Sequence, residues 1–171
     1  MVIWLTGLSG VGKTTIGRAV YRIWKATAPN TVLVDGDAVR HLVRFNNSDD
    51  AYSHAGRHAA ASRYCDICAW LDGQNINVVC CTISFFEDLR ERNRRDLSKY
   101  FEVFISAPMD ALKRRDSKKL YERALRGEIK NVVGIDQPLT PPAFPDMVID
   151  NSRDRQDFSD IAGEILKRAN S

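Results

Sequence analysis

Five short apolar runs, separated by longer amphipathic stretches, set the rhythm of this 171-residue chain. They fall at residues 2–6, 31–34, 76–83, 101–105 and 147–149, and read as strands buried on both faces. Between them, apolar residues recur at helical spacing. Residues 14–25 carry Ile16, Ala19, Val20, Ile23 and Trp24 in this pattern, and a stretch from about 53 to 71 does the same with Ala60, Tyr64, Ile67, Cys68 and Leu71. Further helices are predicted over 86–97, 109–115 and 158–169. Strands alternating with helices point to an α/β fold of three layers, a five-stranded parallel sheet with helices on both faces. No repeat or low-complexity linker interrupts the pattern, and the length suits a single domain over 1–171.

One stretch breaks the rhythm. Residues 118–140 are rich in charge (Lys118, Lys119, Glu122, Arg123, Arg126, Glu128, Lys130), run into Pro138 and the prolines beyond it, and offer little for a core. Lying between the fourth and fifth strands, such a segment fits a mobile lid over phosphates.

The candidate chemistry sits where the first strand meets the first helix. Gly7-Leu8-Ser9-Gly10-Val11-Gly12-Lys13-Thr14 matches every fixed position of the phosphate-loop pattern G-x-x-x-x-G-K-[ST], in the strand, loop and helix order the mechanism needs. Glycines at 7, 10 and 12 let the backbone take positive φ, so that loop amides and the positive helix end converge on an anion. Residues 7–15, ending in Thr15, therefore form the expected ATP site, with Lys13 at the β and γ phosphates and the Thr14 hydroxyl as magnesium ligand. A phosphotransferase gains from a carboxylate beside the acceptor hydroxyl, and Asp37, after the second strand, is the candidate. Asp35 serves instead, holds magnesium through water, or caps the next helix. Arg40, Arg57 and Arg63 are available to an anionic acceptor.

Composition narrows the partners. A hydrophobic content of 44% supports a sizeable core, and a net charge of +3 needs no nucleic acid to explain it. No apolar run approaches a membrane span, and an opening strand at Val2 leaves no space for a leader, so a cytoplasmic protein is expected. Cys65, Cys68, Cys80 and Cys81 lack zinc spacing and read as buried free thiols, the last two on opposite strand faces. His54 and His58, four apart on a helix without a third ligand, read as surface or substrate-facing residues.

The chain resembles the adenylylsulfate kinases over nearly its full length. The likeness rests on WLTGLSGVGKTTI (residues 4–16), VDGDAVRH (34–41), TIS (82–84), RRDSKKLYERALRGEIKN (114–131) and GIDQPLTPP (134–142). The resemblance implies transfer of the ATP γ-phosphate to the 3′-hydroxyl of adenosine 5′-phosphosulfate, with magnesium, and suggests a homodimer. It places Asp37 at the acceptor hydroxyl, Arg40, Arg57 and Lys130 on the acceptor, and Arg115 on the ATP side. Ile83 falls within the TIS segment of the acceptor site, and Ser84 matches a serine that is a phosphorylation site in some members.

Several positions depart from that pattern. Ala60-Ala61-Ser62-Arg63 stands where the family shows Asn-Ile-Arg-Arg, and Phe85 replaces a proline. The two phenylalanines that stack the acceptor become Tyr52, behind a short insertion around residues 46–50, and Val132. The chemistry is kept while acceptor recognition changes. A related branch that phosphorylates a cytidine diphosphoramidate is therefore the alternative to adenylylsulfate. A signalling GTPase is disfavoured because no Asn-Lys-x-Asp run occurs, and a non-catalytic nucleotide-binding module because Lys13, Thr14 and Asp37 are all present.

Overall fold

Successive residues of the first strand point to opposite sides of a sheet, and each side carries its own core. The computed structural model describes residues 1–43, 50–116 and 119–171. In chain order the elements are β1 (Val2–Thr6), α1 (Lys13–Thr27), β2 (Thr31–Asp35), α2 (Gly36–Leu42), α3 (His54–Asp72), β3 (Asn77–Thr82), α4 (Glu87–Asp96), β4 (Tyr100–Ser106), α5 (Met109–Arg114), α6 (Leu120–Leu125), β5 (Met147–Asp150) and α7 (Ser159–Asn170). All strand pairs are parallel, in the order β2-β3-β1-β4-β5. On one side Ile3, Leu5, Val79, Cys81, Val103 and Ile105 pack with α1, α5, α6 and α7. On the other, Val2, Trp4, Val78 and Cys80 pack with α3 and α4. A period of two in each central strand thus produces the three expected layers.

The helix α1 lies close on the sheet. Its buried face is Ile16, Gly17, Val20 and Trp24, and a Cβ on Gly17 would sit 2.2 Å from the Cys81 sulfur. Any larger residue there would push α1, and the loop it carries, off β3.

Two short helices, α2 and α6, escape the periodicity argument: α2 spans only seven residues, and α6 lies inside the charged segment whose composition masks its apolar positions. The segment 118–140 also corrects an expectation. Far from lacking core residues, it buries Tyr121, Ala124, Val132 and Val133, the first three in the α1 side and Val133 in the α3 side. The apolar positions are spaced among charges that face outward, so composition alone hides them. Lys118 and residues 46–49 of the insertion lie outside the described residues.

A polar cluster is sealed under α4. Glu102, beside Trp4 in the sheet, is 2% exposed, and Arg94 donates to its Oε2 at 3.1 Å while Arg90 stands 3.8 Å from Oε1. Burial pushes its carboxyl up to about 7, against the pull of the two arginines. An acid whose folded pKa exceeds its unfolded value near 4.5 adds stability below that pH and loses it as pH rises through about 7. The melting temperature of Glu102→Gln is therefore expected to decline less than wild type between those pH values. Parallel melting curves against pH would refute this assignment.

Candidate active site

A cleft of about 930 Å³ opens beyond the carboxyl ends of β1, β2 and β3, the place where parallel α/β sheets bind ligands. Its floor is the loop between β1 and α1. Gly7 has φ +149° and its missing Cβ would lie 2.3 Å from the Ile105 carbonyl, so the loop leaves β1 against β4 with no space for a side chain. Gly12, at φ +101°, precedes α1 without any side-chain cap, which leaves the first amides of α1 to other acceptors. Ser9, Gly10, Gly12, Lys13, Thr14 and Thr15 line the cleft, whereas Gly7, Leu8 and Val11 support them from outside the lining. Lys13 Nζ donates to the carbonyls of Gly7 at 2.9 Å and Leu8 at 2.7 Å, so its ammonium is folded over the loop.

Asp35, the last residue of β2, and Asp37, two positions on, have different surroundings. Asp35 caps α2, accepting from the amides of Asp37 and Ala38 at 3.1 and 3.2 Å through Oδ1, and its Oδ2 accepts from the Thr14 hydroxyl at 2.7 Å. Capping and contact with Thr14 are thus the work of one residue. Asp37 lies in the first turn of α2 and lines the cleft without serving as that cap. Thr14 and Asp35 together present hard oxygen ligands beside the loop, the donor chemistry magnesium prefers. Among the described residues no group of three His, Cys, Asp or Glu side chains could hold a metal.

Opposite the loop stands a cationic, aromatic wall. The guanidinium groups of Arg40 and Arg57 lie 4.9 and 5.3 Å from the centre of the Tyr52 ring. Arg40 is buried and donates to the Ala51 carbonyl at 3.0 Å. Arg57 donates to the carbonyls of Tyr52 at 3.0 Å and Asn131 at 2.8 Å. Burial, then the neighbouring Arg40, pull the Arg57 pKa down, since a second cation nearby disfavours the charged form. Gln137 Nε2 donates to both Tyr52 O and Asn131 Oδ1, so the segment after α6 is fastened to the start of α3. Ile83, Lys130 and Val132 line the same end.

At the far end Arg115 lines the cleft and donates to Asn151 O at 2.6 Å, Ser152 O at 3.2 Å and Asp154 Oδ1 at 2.9 Å. Two expected residues stand apart. Arg63 is exposed on α3, outside the lining, and Ser84 is buried just past β3, its amide and carbonyl tied to the Thr6 hydroxyl. All four cysteines are free and buried; Cys65 and Cys68 lie on α3, and Cys80 and Cys81 do occupy opposite faces of β3. His54 and His58 are surface residues outside the cleft, each meeting Phe86 edge-to-face, with His58 in contact with Asp88 at 2.8 Å.

Sequence reasoning overlooked Tyr121, Asn131, Gln137 and Asn151. The first three fall inside the segments that carry the family resemblance, a usable signal. Asn151 follows the last strand and has none.

Comparison with known proteins agrees with this geometry. Residues 1–150 match the adenylylsulphate kinase family. A cytidine diphosphoramidate kinase of Campylobacter jejuni is 40% identical over 151 residues, covering 88% of this chain and 86% of that protein. An adenylyl-sulfate kinase of Halothermothrix orenii is 33% identical over 168 residues, 98% of this chain and 88% of its own. The Mycobacterium tuberculosis APS kinase, solved with AMPPNP and APS, superposes with a TM-score of 0.86 at 29% identity, covering 99% of this chain and 97% of its own. With the loop, the parallel sheet and the cleft in agreement, the chain belongs to the adenylylsulphate kinase family and is a phosphotransferase of the P-loop kinase fold.

Proposed function

We propose that this kinase moves the γ-phosphoryl group of ATP to a ribose hydroxyl of a nucleotide with a substituted 5′-phosphate, and that its acceptor is a cytidine 5′-diphosphate derivative such as cytidine diphosphoramidate. The observation that carries the choice is Val132. It lines the acceptor end where the family pattern has phenylalanine, and it is buried, so this position offers no aromatic face and Tyr52 is the aromatic left at that end. Stacking on an aromatic side chain is worth about 1 to 3 kcal/mol per base, and the larger purine loses more by its absence. The 40% identity to a cytidine diphosphoramidate kinase supports the same reading. Adenylylsulfate remains the second reading, supported by the match to the solved APS kinase and by Arg40, Arg57 and Lys130 at the cleft.

In either reading the chain's own groups divide the work. Loop amides and Lys13 hold the β and γ phosphates, and Arg115 holds the ATP side. Arg40, Arg57 and Lys130 hold the anionic 5′ substituent, which orients the ribose. Asp37 accepts the proton of the attacking hydroxyl as its oxygen bonds to the γ phosphorus and the bond to the β-phosphate oxygen breaks, leaving ADP. Thr14 and Asp35 fit a magnesium ion, which would neutralise charge on the β and γ oxygens.

Turnover of ATP with cytidine diphosphoramidate and with adenylylsulfate decides between the acceptors. A higher kcat/KM on the cytidine compound is expected, and a preference for adenylylsulfate overturns the first reading. Val132→Phe is expected to raise kcat/KM for adenylylsulfate by roughly 5- to 150-fold, the equivalent of one stacked base. No change would remove Val132 from the recognition argument.

A further inference from the structure

Two side chains outside the phosphate-loop pattern grip that loop by its carbonyls. Asn151, just past β5, donates from Nδ2 to Val11 O at 2.9 Å, and Tyr121, on α6, donates its hydroxyl to Ser9 O at 2.8 Å. In a trans peptide the C=O and the following N–H point in opposite directions. Holding the Val11 carbonyl on the Asn151 side therefore turns the Gly12 N–H the other way, and holding the Ser9 carbonyl does the same for Gly10 N–H. Both glycines line the cleft.

We infer that Asn151 and Tyr121 are positioning residues that aim the Gly10 and Gly12 amides at the phosphates before nucleotide arrives. The setting of Asn151 supports this. Its backbone is fixed on both sides, since its amide donates to Ser106 O at 2.8 Å and its carbonyl accepts from Arg115 at 2.6 Å. Its Oδ1 is buried with no partner, a cost that an apolar side chain would avoid. What the amide retains in exchange is its donor to the Val11 carbonyl. Gly12 keeps the approach open, because a Cβ there would lie 2.7 Å from Asn151 Nδ2. Tyr121 adds a link to the segment over the cleft. The backbone amides of Leu120 and of Tyr121 itself donate to Asp116 Oδ1 and Oδ2, and the Tyr121 ring is buried in the α1 side of the core. The start of α6 and the phosphate loop are consequently held as one unit.

The test is Tyr121→Phe and Asn151→Asp in the full chain, with dissociation constants for ADP and AMP and steady-state KM for ATP and acceptor. A residue that aims loop amides affects the nucleotide with a β-phosphate and spares the one without. ADP is expected to bind about fivefold more weakly in Tyr121→Phe, the equivalent of one lost hydrogen bond. In Asn151→Asp, where a carboxylate faces a carbonyl, the loss is expected to be roughly tenfold or more. AMP binding and acceptor KM should stay within about twofold in both, while KM for ATP rises with the ADP loss. Equal weakening of ADP and AMP, or no change in either, overturns the inference. If Asn151→Asp does not fold, Tyr121→Phe, which removes one oxygen from an unchanged ring, decides alone.

Discussion

Lys13→Ala is expected to cut turnover by roughly three orders of magnitude or more, because a preorganised cation at migrating charge is worth at least as much as one oxyanion donor. The structure adds a second loss. The Lys13 ammonium bridges the carbonyls of Gly7 and Leu8, so its removal also frees the loop from its own side chain. ATP affinity and kcat should therefore fall together. Lys13→Arg separates the two effects, since it keeps the charge but presents a planar fork in place of a compact ammonium. Calorimetry with ATP and single-turnover assays on both variants measure this. Turnover in Lys13→Ala within tenfold of wild type would show that the ammonium does not stand at the transferred group.

Asp37→Asn is expected to lower kcat by roughly 10²- to 10⁴-fold, the range of a positioned general base, with ATP binding unchanged. The test is clean because Asp35 supplies the α2 cap. The Asp37 side chain can lose its charge while the amides at the start of α2 keep their acceptor. The same change at Asp35 combines loss of a cap with loss of the Thr14 contact, and should reduce stability and magnesium dependence as well as rate. Full activity in Asp37→Asn would move the base role to Asp35 or abolish it.

Much of the site was legible because its chemistry is local. A glycine-rich loop needs its positive φ values within a few residues, and a strand-end aspartate announces itself by position. Gly7 and Gly12 take the positive φ values that such a loop needs, and Lys13 and Asp37 both line the cleft. The acceptor wall was legible only in part. Arg40, Arg57 and Tyr52 were each visible as residues, but the convergence of the two guanidinium groups on the Tyr52 ring depends on α2, the residues before α3 and α3 itself being brought together by the fold. Arg63, about one and two-thirds turns beyond Arg57 on α3, is rotated to the exposed face by the helical repeat.

Periodicity settled the layers before any coordinate was needed, since alternation in a strand sends neighbours such as Cys80 and Cys81 to different cores whatever the rest of the chain does. Contacts between distant segments are another matter. Nothing within a few residues of Asn151 or Tyr121 signals that they hold Val11 and Ser9, 140 and 112 positions away, because such pairs exist only once β5 has paired with β4 and α6 has packed into the α1 side of the core. The same holds for the core residues of the charged segment, whose burial depends on a surface built by α1 and the sheet. Short-range backbone sterics and side-chain spacing are properties of the chain; the direction in which a loop amide points is a property of what packs behind it.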